Sequence, residues 1–388
     1  MQIPPLKEMV SSLIAAPSVS STMPQFDQSN LEVVHLLANW LTPLGFNVDI
    51  QPITDRPGKA NIIATLGEGR DGLLLSGHTD TVPFDVHLWQ SDPFTVQERD
   101  NRWYGLGICD MKSFLAMCVT AAAPYAHTKP TRPLTILGTA DEESSMSGAR
   151  SITREAINHS RFALIGEPTN LQAITRHKGI MMLSLTITGH SGHSSNPDLG
   201  NNAIDGTGIA IELLSKFRTD MAKKYQDTQF EVHYPTLNLG CIHGGDNPNR
   251  ICDHAELSFD LRILPGMNSL AIVEQLDSTL GPVLNQRGLA MDLKLLHAPI
   301  NPFECNGIEL LDTIAQFQQN RDDTSSNTHG GAVAFATEAP FLTDLGVETI
   351  VMGPGSIDQA HQPNEFLDLS QLDPTIAIIR ALIQKYCY

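Results

Sequence analysis

The stretch Leu73-Leu74-Leu75-Ser76-Gly77-His78-Thr79-Asp80-Thr81-Val82-Pro83 constrains the fold more than any other. Three successive leucines cannot alternate between core and water, so they read as a strand covered on both faces. Gly77 and Pro83 bound a turn in which His78 and Asp80 stand two apart. Open α/β sheets bind their ligands just past the carboxyl ends of such strands. There His78 can offer a neutral imidazole to a metal, and Asp80 can hold its other ring nitrogen, directly or through its surroundings. The pair alone does not make a site; partners have to come from elsewhere in the chain.

The surrounding sequence has the rhythm that a doubly covered strand needs. Leu6, Met9, Val10, Leu13 and Ile14 follow helical spacing up to Pro17, and Asn30 is placed to cap a second helix carrying Leu31, Val34, Leu37, Leu41 and Leu44. Strands are predicted at Phe46 to Gln51, Asn61 to Leu66, Leu73 to Ser76, Pro133 to Thr139 and Arg161 to Gly166. The Gly-rich turn Trp103 to Lys112 leads into a helix from Ser113 to Ala123, and a further helix starts near Gly148. Strand and helix in alternation mean an α/β fold with a mixed, mostly parallel sheet and helices on both sides.

Near Gly179 the pattern changes. Ile180 to Thr188 alternates as a strand, Gly189 to Gly200 is a Gly-, Ser- and His-rich loop, and a helix is predicted from Asn202 to Phe217. Strands near Pro235 to Ile242 and His254 to Ile263, a helix near Ser269 to Leu280 and a strand near Leu289 to Leu296 follow. This β-α-β-β-α-β order is that of a ferredoxin-like α+β domain. A helix at Ile308 to Gln319, a strand at Glu348 to Met352 and a helix at Leu372 to Tyr386 then resume the first pattern. The expected domains are therefore 1–178 with 298–388, and an inserted 179–297.

A formal net charge of −18 argues against nucleic acid or an anionic membrane as partner, since both require a basic patch. The first 17 residues have neither a basic start nor a long apolar run, so no signal peptide is expected. The six cysteines contain no Cys-x-x-Cys pair, which fits reduced thiols in a cytoplasmic protein and no cysteine-based zinc site.

Four more positions carry acid or imidazole groups at strand ends or in the loops that follow: Asp110, the Glu142-Glu143 pair, Glu167 and His361. Each has a plain structural alternative. Asp110 could cap the following helix, Glu142-Glu143 could be a solvated turn, Glu167 a loop residue and His361 a surface side chain. Strand ends of one parallel sheet converge, however, and two imidazoles with three carboxylates and no thiolate suit zinc, cobalt or manganese. One carboxylate can bridge two ions about 3.5–4 Å apart, and a spare carboxylate beside the ligands would be a general base.

The stretches SGHTDTVPFD, YGLGICDMK, TADEESSMSGAR, IGEPTNLQ, GHSGHSSNPDLGNNAI, NRIC, ATEAPF and GPGSIDQAHQPNEF resemble the M20 family of dinuclear zinc peptidases and deacylases. They run from Ser76 to Phe366, most of the chain. The resemblance implies two divalent ions, Zn2+ with Co2+ as a substitute. It implies that Asp110 bridges them, that His78 and Glu167 complete one position, and that Glu143 and His361 complete the other. Glu142 is then the general base and Asp80 orients His78. The inserted domain is expected to be a lid that makes a homodimer, with His193 reaching the partner subunit's site as an oxyanion donor. Asn249, Arg250 and the Gly353 to Ser356 loop, including Gly355 and Ser356, are candidates for a substrate carboxylate. One departure is Ile108-Cys109 before Asp110, where small residues are more usual; Cys109 is expected to be a buried neighbour of the site and no ligand.

Family members differ in the acyl amide they cut. The closest match is to the deacylases acting on N2-acetyl-L-ornithine, a reaction of arginine biosynthesis. A desuccinylase of a diaminopimelate derivative is the nearest alternative, and a broader N-acyl-amino-acid amidohydrolase is another. The desuccinylase carries an arginine in the loop that here reads Ala336-Thr337-Glu338-Ala339-Pro340-Phe341. An acid in that place, Glu338, points to a cationic substrate amine; the alternative is a helix-start carboxylate facing solvent.

Overall fold

Leu73–His78 is a strand buried along its whole length, as its leucines require. In this computed structural model residues 3–305, 307–319 and 330–388 are described. The chain divides into two compact units. The first comprises Met1–Thr175, Cys305–Gly331 and Thr337–Tyr388, and the second Arg176–Glu304 with Ala332–Ala336. The boundaries at 175/176 and 304/305 differ from the 178/179 and 297/298 expected from sequence, and a short later segment also joins the second unit. The difference arises because the strand Ile174–His177 and its partner Phe303–Glu304 pair across the chain ends of the insert, with Phe303 opposite His177.

In the first unit the strands run in the order Asn47–Pro52, Ala60–Leu66, Leu134–Thr139, Leu73–His78, Phe162–Pro168 and Glu348–Gly353. The last four are mutually parallel, and the first two form an antiparallel edge. Both faces are covered. A side chain added at Gly77 or Gly138 would meet Leu115 or Leu37, from the helices Lys112–Ala122 and Leu31–Leu41. Ser76 and Thr139, on the opposite face, lie beside Glu338 at the start of Ala339–Asp344. Leu372–Cys387 packs on Lys112–Ala122, whose buried residues occupy nearly its whole circumference.

Asn30 does not cap its helix as expected. It is fully buried, and its amide links two neighbours: Nδ2 donates to Ala60 O and Thr79 Oγ1, while Oδ1 accepts from Ala60 N–H. Burial makes the strand backbone a better partner for this amide than the helix end. A small sheet of Gln97–Arg99, Arg102–Tyr104 and Phe366–Asp368 also escaped the sequence reading, because strands this short carry no measurable periodicity.

The second unit is a four-stranded antiparallel sheet in the order Thr236–Gly244, His254–Ile263, Gly179–Thr188 and Ala290–Leu295, with helices Ala203–Lys224 and Ser269–Asn285. This is the ferredoxin-like arrangement. Both helices outrun their expected ends because their apolar stripes continue, through Met221 in one and Leu284 in the other. The second carries Pro282 within it. Among the described residues no helix is long and apolar enough to cross a membrane.

Candidate metal centre

The parallel strands of the first unit deliver acids and imidazoles to one place. His78 ends the leucine strand and is 1% exposed. Its Nδ1 lies 3.0 Å from the backbone oxygen of Asp80, so Nδ1 donates there and Nε2 is the ring nitrogen that faces the centre. Nε2 stands 3.1 Å from Asp110 Oδ1. Asp110 sits in the Gly-rich turn and does not cap the helix after it: Met111 occupies the cap position, without a side-chain cap bond. Gly107 in that turn has φ +77, and a Cβ there would lie 2.5 Å from Thr81 Cγ2, so only glycine fits.

Asp80 was expected to orient His78; the group of Asp80 that faces the ring is its backbone oxygen. Its carboxylate stands 3.7 Å from Nδ1, beyond hydrogen-bonding distance. It accepts instead from two successive amides, Glu142 N–H at 3.2 Å and Glu143 N–H at 3.1 Å. Asp80 thus fixes the turn that presents both glutamates. The same turn is held by a network that sequence reasoning missed. Lys59 Nζ lies 2.8 Å from Asp141 Oδ1 and 2.8 Å from Asp27 Oδ1, and Ser20 Oγ donates to Asp141 Oδ1. Nothing in the spacing of Pro57-Gly58-Lys59 marks that lysine.

His361 Nε2 is 3.0 Å from Glu143 Oε2 and 3.9 Å from Asp110 Oδ2. Its side chain is 56% exposed, so the centre opens to solvent at this end. Ligand-type atoms of His78, Asp110 and Glu143 lie within 4.8 Å of one another, and so do those of His78, Glu142 and Glu167. Two trios sharing His78 are therefore formed. Glu142, expected as the base, stands in the second trio.

The electrostatics fit divalent cations. Burial, then the charge of Glu167, pushes the Glu142 carboxyl well above its usual value. Burial and the charge of Asp110 do the same to Glu167, and burial raises Glu143. Asp110 alone goes down: burial opposes ionisation, but the His78 hydrogen bond and charge outweigh it. His78 is raised well above the imidazole range; burial works against this, and the Asp110 carboxylate prevails. Three packed glutamates that resist ionising, beside Asp110 and two imidazoles, suit divalent cations.

Other expected residues lie as follows. Cys109 is 2% exposed, with Sγ 3.6 Å from Ser356 O. Gly355, at φ +84, donates its N–H to Gln371 Oε1, and Ser356 Oγ accepts from Asp358 N–H. Both Gly355 N–H and Ser356 Oγ are thus engaged within the protein. Glu338 does not face solvent: it is 2% exposed, and its charge is felt by Glu142 and Glu167. Burial pushes its carboxyl up to about 7, and among the described residues no partner stands at hydrogen-bond geometry from Oε1.

His193, Asn249 and Arg250 belong to the second unit. His193 is exposed and bridges to Arg250. Ser195 N–H donates to its Nδ1 at 3.2 Å, which puts the ring proton of a neutral His193 on Nε2. Asn249 O accepts from Ser194 N–H. Arg250 pairs with Asp246 at 2.7 Å and lies 3.6 Å from Asp253.

The profile of peptidase family M20/M25/M40 matches residues 74–385. A protein of Photorhabdus laumondii called acetylornithine deacetylase is 45% identical over 388 residues, covering 100% of this chain and 98% of the relative. One of Pasteurella multocida with the same name is 44% identical, covering 100% and 99%. Among solved structures, a tripeptidase of Staphylococcus aureus superposes with a TM-score of 0.76 at 17% identity, covering 99% of each chain. A dinuclear metal-binding M20 peptidase of Bacillus subtilis gives a TM-score of 0.68 at 15% identity, covering 98% and 97%. With the family profile matched over most of its length and close relatives aligned end to end, this chain belongs to peptidase family M20.

Proposed function

We propose that this protein is a metal-dependent amidohydrolase that cleaves N2-acetyl-L-ornithine to L-ornithine and acetate. The observation that supports the chemistry is the convergence of His78, Asp110, Glu142, Glu143, Glu167 and His361 at one end of the sheet. The substrate follows from the name carried by full-length relatives that are 42–45% identical.

In this reading two divalent ions, zinc or cobalt, would be held by Asp110 together with His78 and Glu167 for one and with Glu143 and His361 for the other. When bound, such ions supply Lewis acidity toward the amide carbonyl and acidify water. Glu142 takes a proton from the attacking water and hands it to the leaving amine. Its burial raises its proton affinity, as a proton carrier requires. Asp80 fixes the turn bearing Glu142. His193 Nε2–H is the oxyanion donor supplied by the partner subunit of a cytoplasmic homodimer, whose contacts come from the second unit. The candidate groups for the substrate carboxylate are Asn249 and Arg250 of the second unit and, taken separately, the Gly355-Ser356 loop of the first, whose Gly355 N–H and Ser356 Oγ would have to exchange their present partners. For Arg250 this means exchanging part of its pairing with Asp246.

The test is an activity panel of N-acetylornithine, succinyl-diaminopimelate and N-acetylmethionine, with zinc, with cobalt and after chelation. N-acetylornithine should be the fastest substrate, and chelation should abolish acetate release until metal is restored. Faster cleavage of the succinyl compound, or activity that survives chelation, would overturn the proposal.

Glu338 remains the candidate contact for the ornithine amine. A buried carboxyl held up to about 7, with one oxygen unpartnered, gains from a neighbouring cation. A charge-assisted hydrogen bond is worth about 1.5–3 kcal/mol. Glu338→Gln should therefore lower kcat/KM for N-acetylornithine about 10- to 150-fold and leave N-acetylmethionine within about 3-fold. An equal loss on both substrates would make Glu338 a structural residue.

A further inference from the structure

We propose that Glu365 is a positioning residue: its carboxylate locks the loop that bears Asp110 to the segment that bears His361, and so sets the spacing of the two metal positions. The inference rests on reading the centre as dinuclear.

Phe366–Asp368 pairs with Arg102–Tyr104, placing Phe366 opposite Tyr104. That register brings Glu365 against Gly105, whose N–H donates to Glu365 O at 3.2 Å. The Glu365 side chain then turns inward and is 2% exposed. Its Oε2 accepts from Gly107 N–H at 2.7 Å. Its Oε1 accepts from Cys109 N–H at 2.7 Å and from Asp110 N–H at 2.9 Å. Three amides of one turn thus converge on one carboxylate. The positive φ of Gly107 belongs to the curl that aims them inward.

The connectivity gives this contact its role. Asp110 is one of the amides held, and His361 lies four residues before Glu365 in the chain. The side chains of these two ligands meet across the centre, with His361 Nε2 3.9 Å from Asp110 Oδ2. A closed circuit results: Asp110 to His361 through the ligand atoms, His361 to Glu365 through the chain, and Glu365 back to the Asp110 amide. Movement of the Asp110 backbone away from Glu365 would break hydrogen bonds in a buried turn.

The chemistry is specific to a carboxylate. Both oxygens accept from backbone N–H groups, so neither place suits a donor. In Glu365→Gln one of these places becomes an NH2 group, which would face a backbone N–H and leave a buried donor unpaired. Outer-shell partners of metal ligands are typically worth about 10- to 100-fold in metal affinity or activity.

The experiment compares wild type, Glu365→Gln, Glu365→Asp and Leu367→Val. Leu367→Val trims a buried side chain on the same strand without touching the carboxylate. Hydrogen exchange of the 105–111 amides is measured on the metal-free protein, and zinc affinity by calorimetric titration of that protein. Glu365→Gln should speed exchange at Gly107, Cys109 and Asp110 and weaken one of two zinc-binding events about 10- to 100-fold. It should lower kcat similarly, with KM within about 3-fold. Glu365→Asp, which keeps the charge but reaches fewer amides, should fall between and serves if the glutamine variant fails to fold. Leu367→Val should lose stability and keep zinc affinity. The proposal fails if Glu365→Gln binds two zinc ions as wild type does, or if Leu367→Val weakens zinc binding equally. If wild type itself binds one ion, the dinuclear reading fails, and the exchange measurement still judges whether Glu365 holds the turn.

Discussion

Glu142→Gln should lower acetate release from N-acetylornithine by about 10²- to 10⁴-fold, the usual contribution of a positioned general base. Binding of two zinc ions should persist, because His78, Asp110, Glu143, Glu167 and His361 are untouched. The variant keeps the shape of the side chain and the Glu142 N–H bond to Asp80, so the turn should hold. The measurement has two arms: kcat on N-acetylornithine and zinc stoichiometry of the same preparation. The second arm matters because Glu142 stands in a trio with His78 and Glu167, close enough to hold an ion itself. If the variant loses one zinc along with its activity, Glu142 is a ligand and the base must be sought elsewhere. If kcat falls less than 10-fold, Glu142 is not the proton carrier.

Lys59→Met should destabilise the first unit by about 3–5 kcal/mol, the cost of leaving one partner of a buried ion pair uncompensated. Lys59 and Asp141 are each 1% exposed in their side chains, 2.8 Å apart, so the pair is little screened by solvent. Burial works to lower the Lys59 pKa, but its bonds to Asp141 and Asp27 outweigh it and raise the value. The sign of the pH dependence follows. A lysine whose folded pKa lies above its unfolded one contributes in full below the unfolded value of 10.5 and loses that contribution as pH rises beyond it. The destabilisation should therefore be the same at pH 6 and pH 8. Denaturant unfolding followed by a probe in the first unit reads it. Lys59→Met with Asp141→Leu should recover much of the loss, since it removes the stranded charge, yet it should stay slow because Asp141 adjoins Glu142. A loss under 1 kcal/mol for the single variant would mean that Ser20 and Arg56 suffice to hold Asp141.

Much of this was legible in the chain. The leucines of Leu73–His78, the apolar run Leu134–Thr139 and the alternation of Gly179–Thr188 each identify a strand by the environment they require. The ligand candidates were legible as residue types at strand ends, because a parallel sheet gathers its strand ends. The same logic could not reach Glu338. A glutamate opening a short helix looks solvated in sequence, and only the packing of that helix against Ser76 and Thr139 buries it. Nor could it separate the two functions of Asp80, whose carbonyl serves His78 while its carboxylate serves the glutamates.

By itself the sequence determined the layered α/β unit, the inserted α+β unit and the acids and imidazoles of the centre, because periodicity and strand-end chemistry are local properties. Only the tertiary structure decided what holds those groups in place. Lys59, Asp141 and Glu365 act through contacts between segments tens to hundreds of residues apart, and a buried charge is marked by its surroundings and not by its neighbours in the chain.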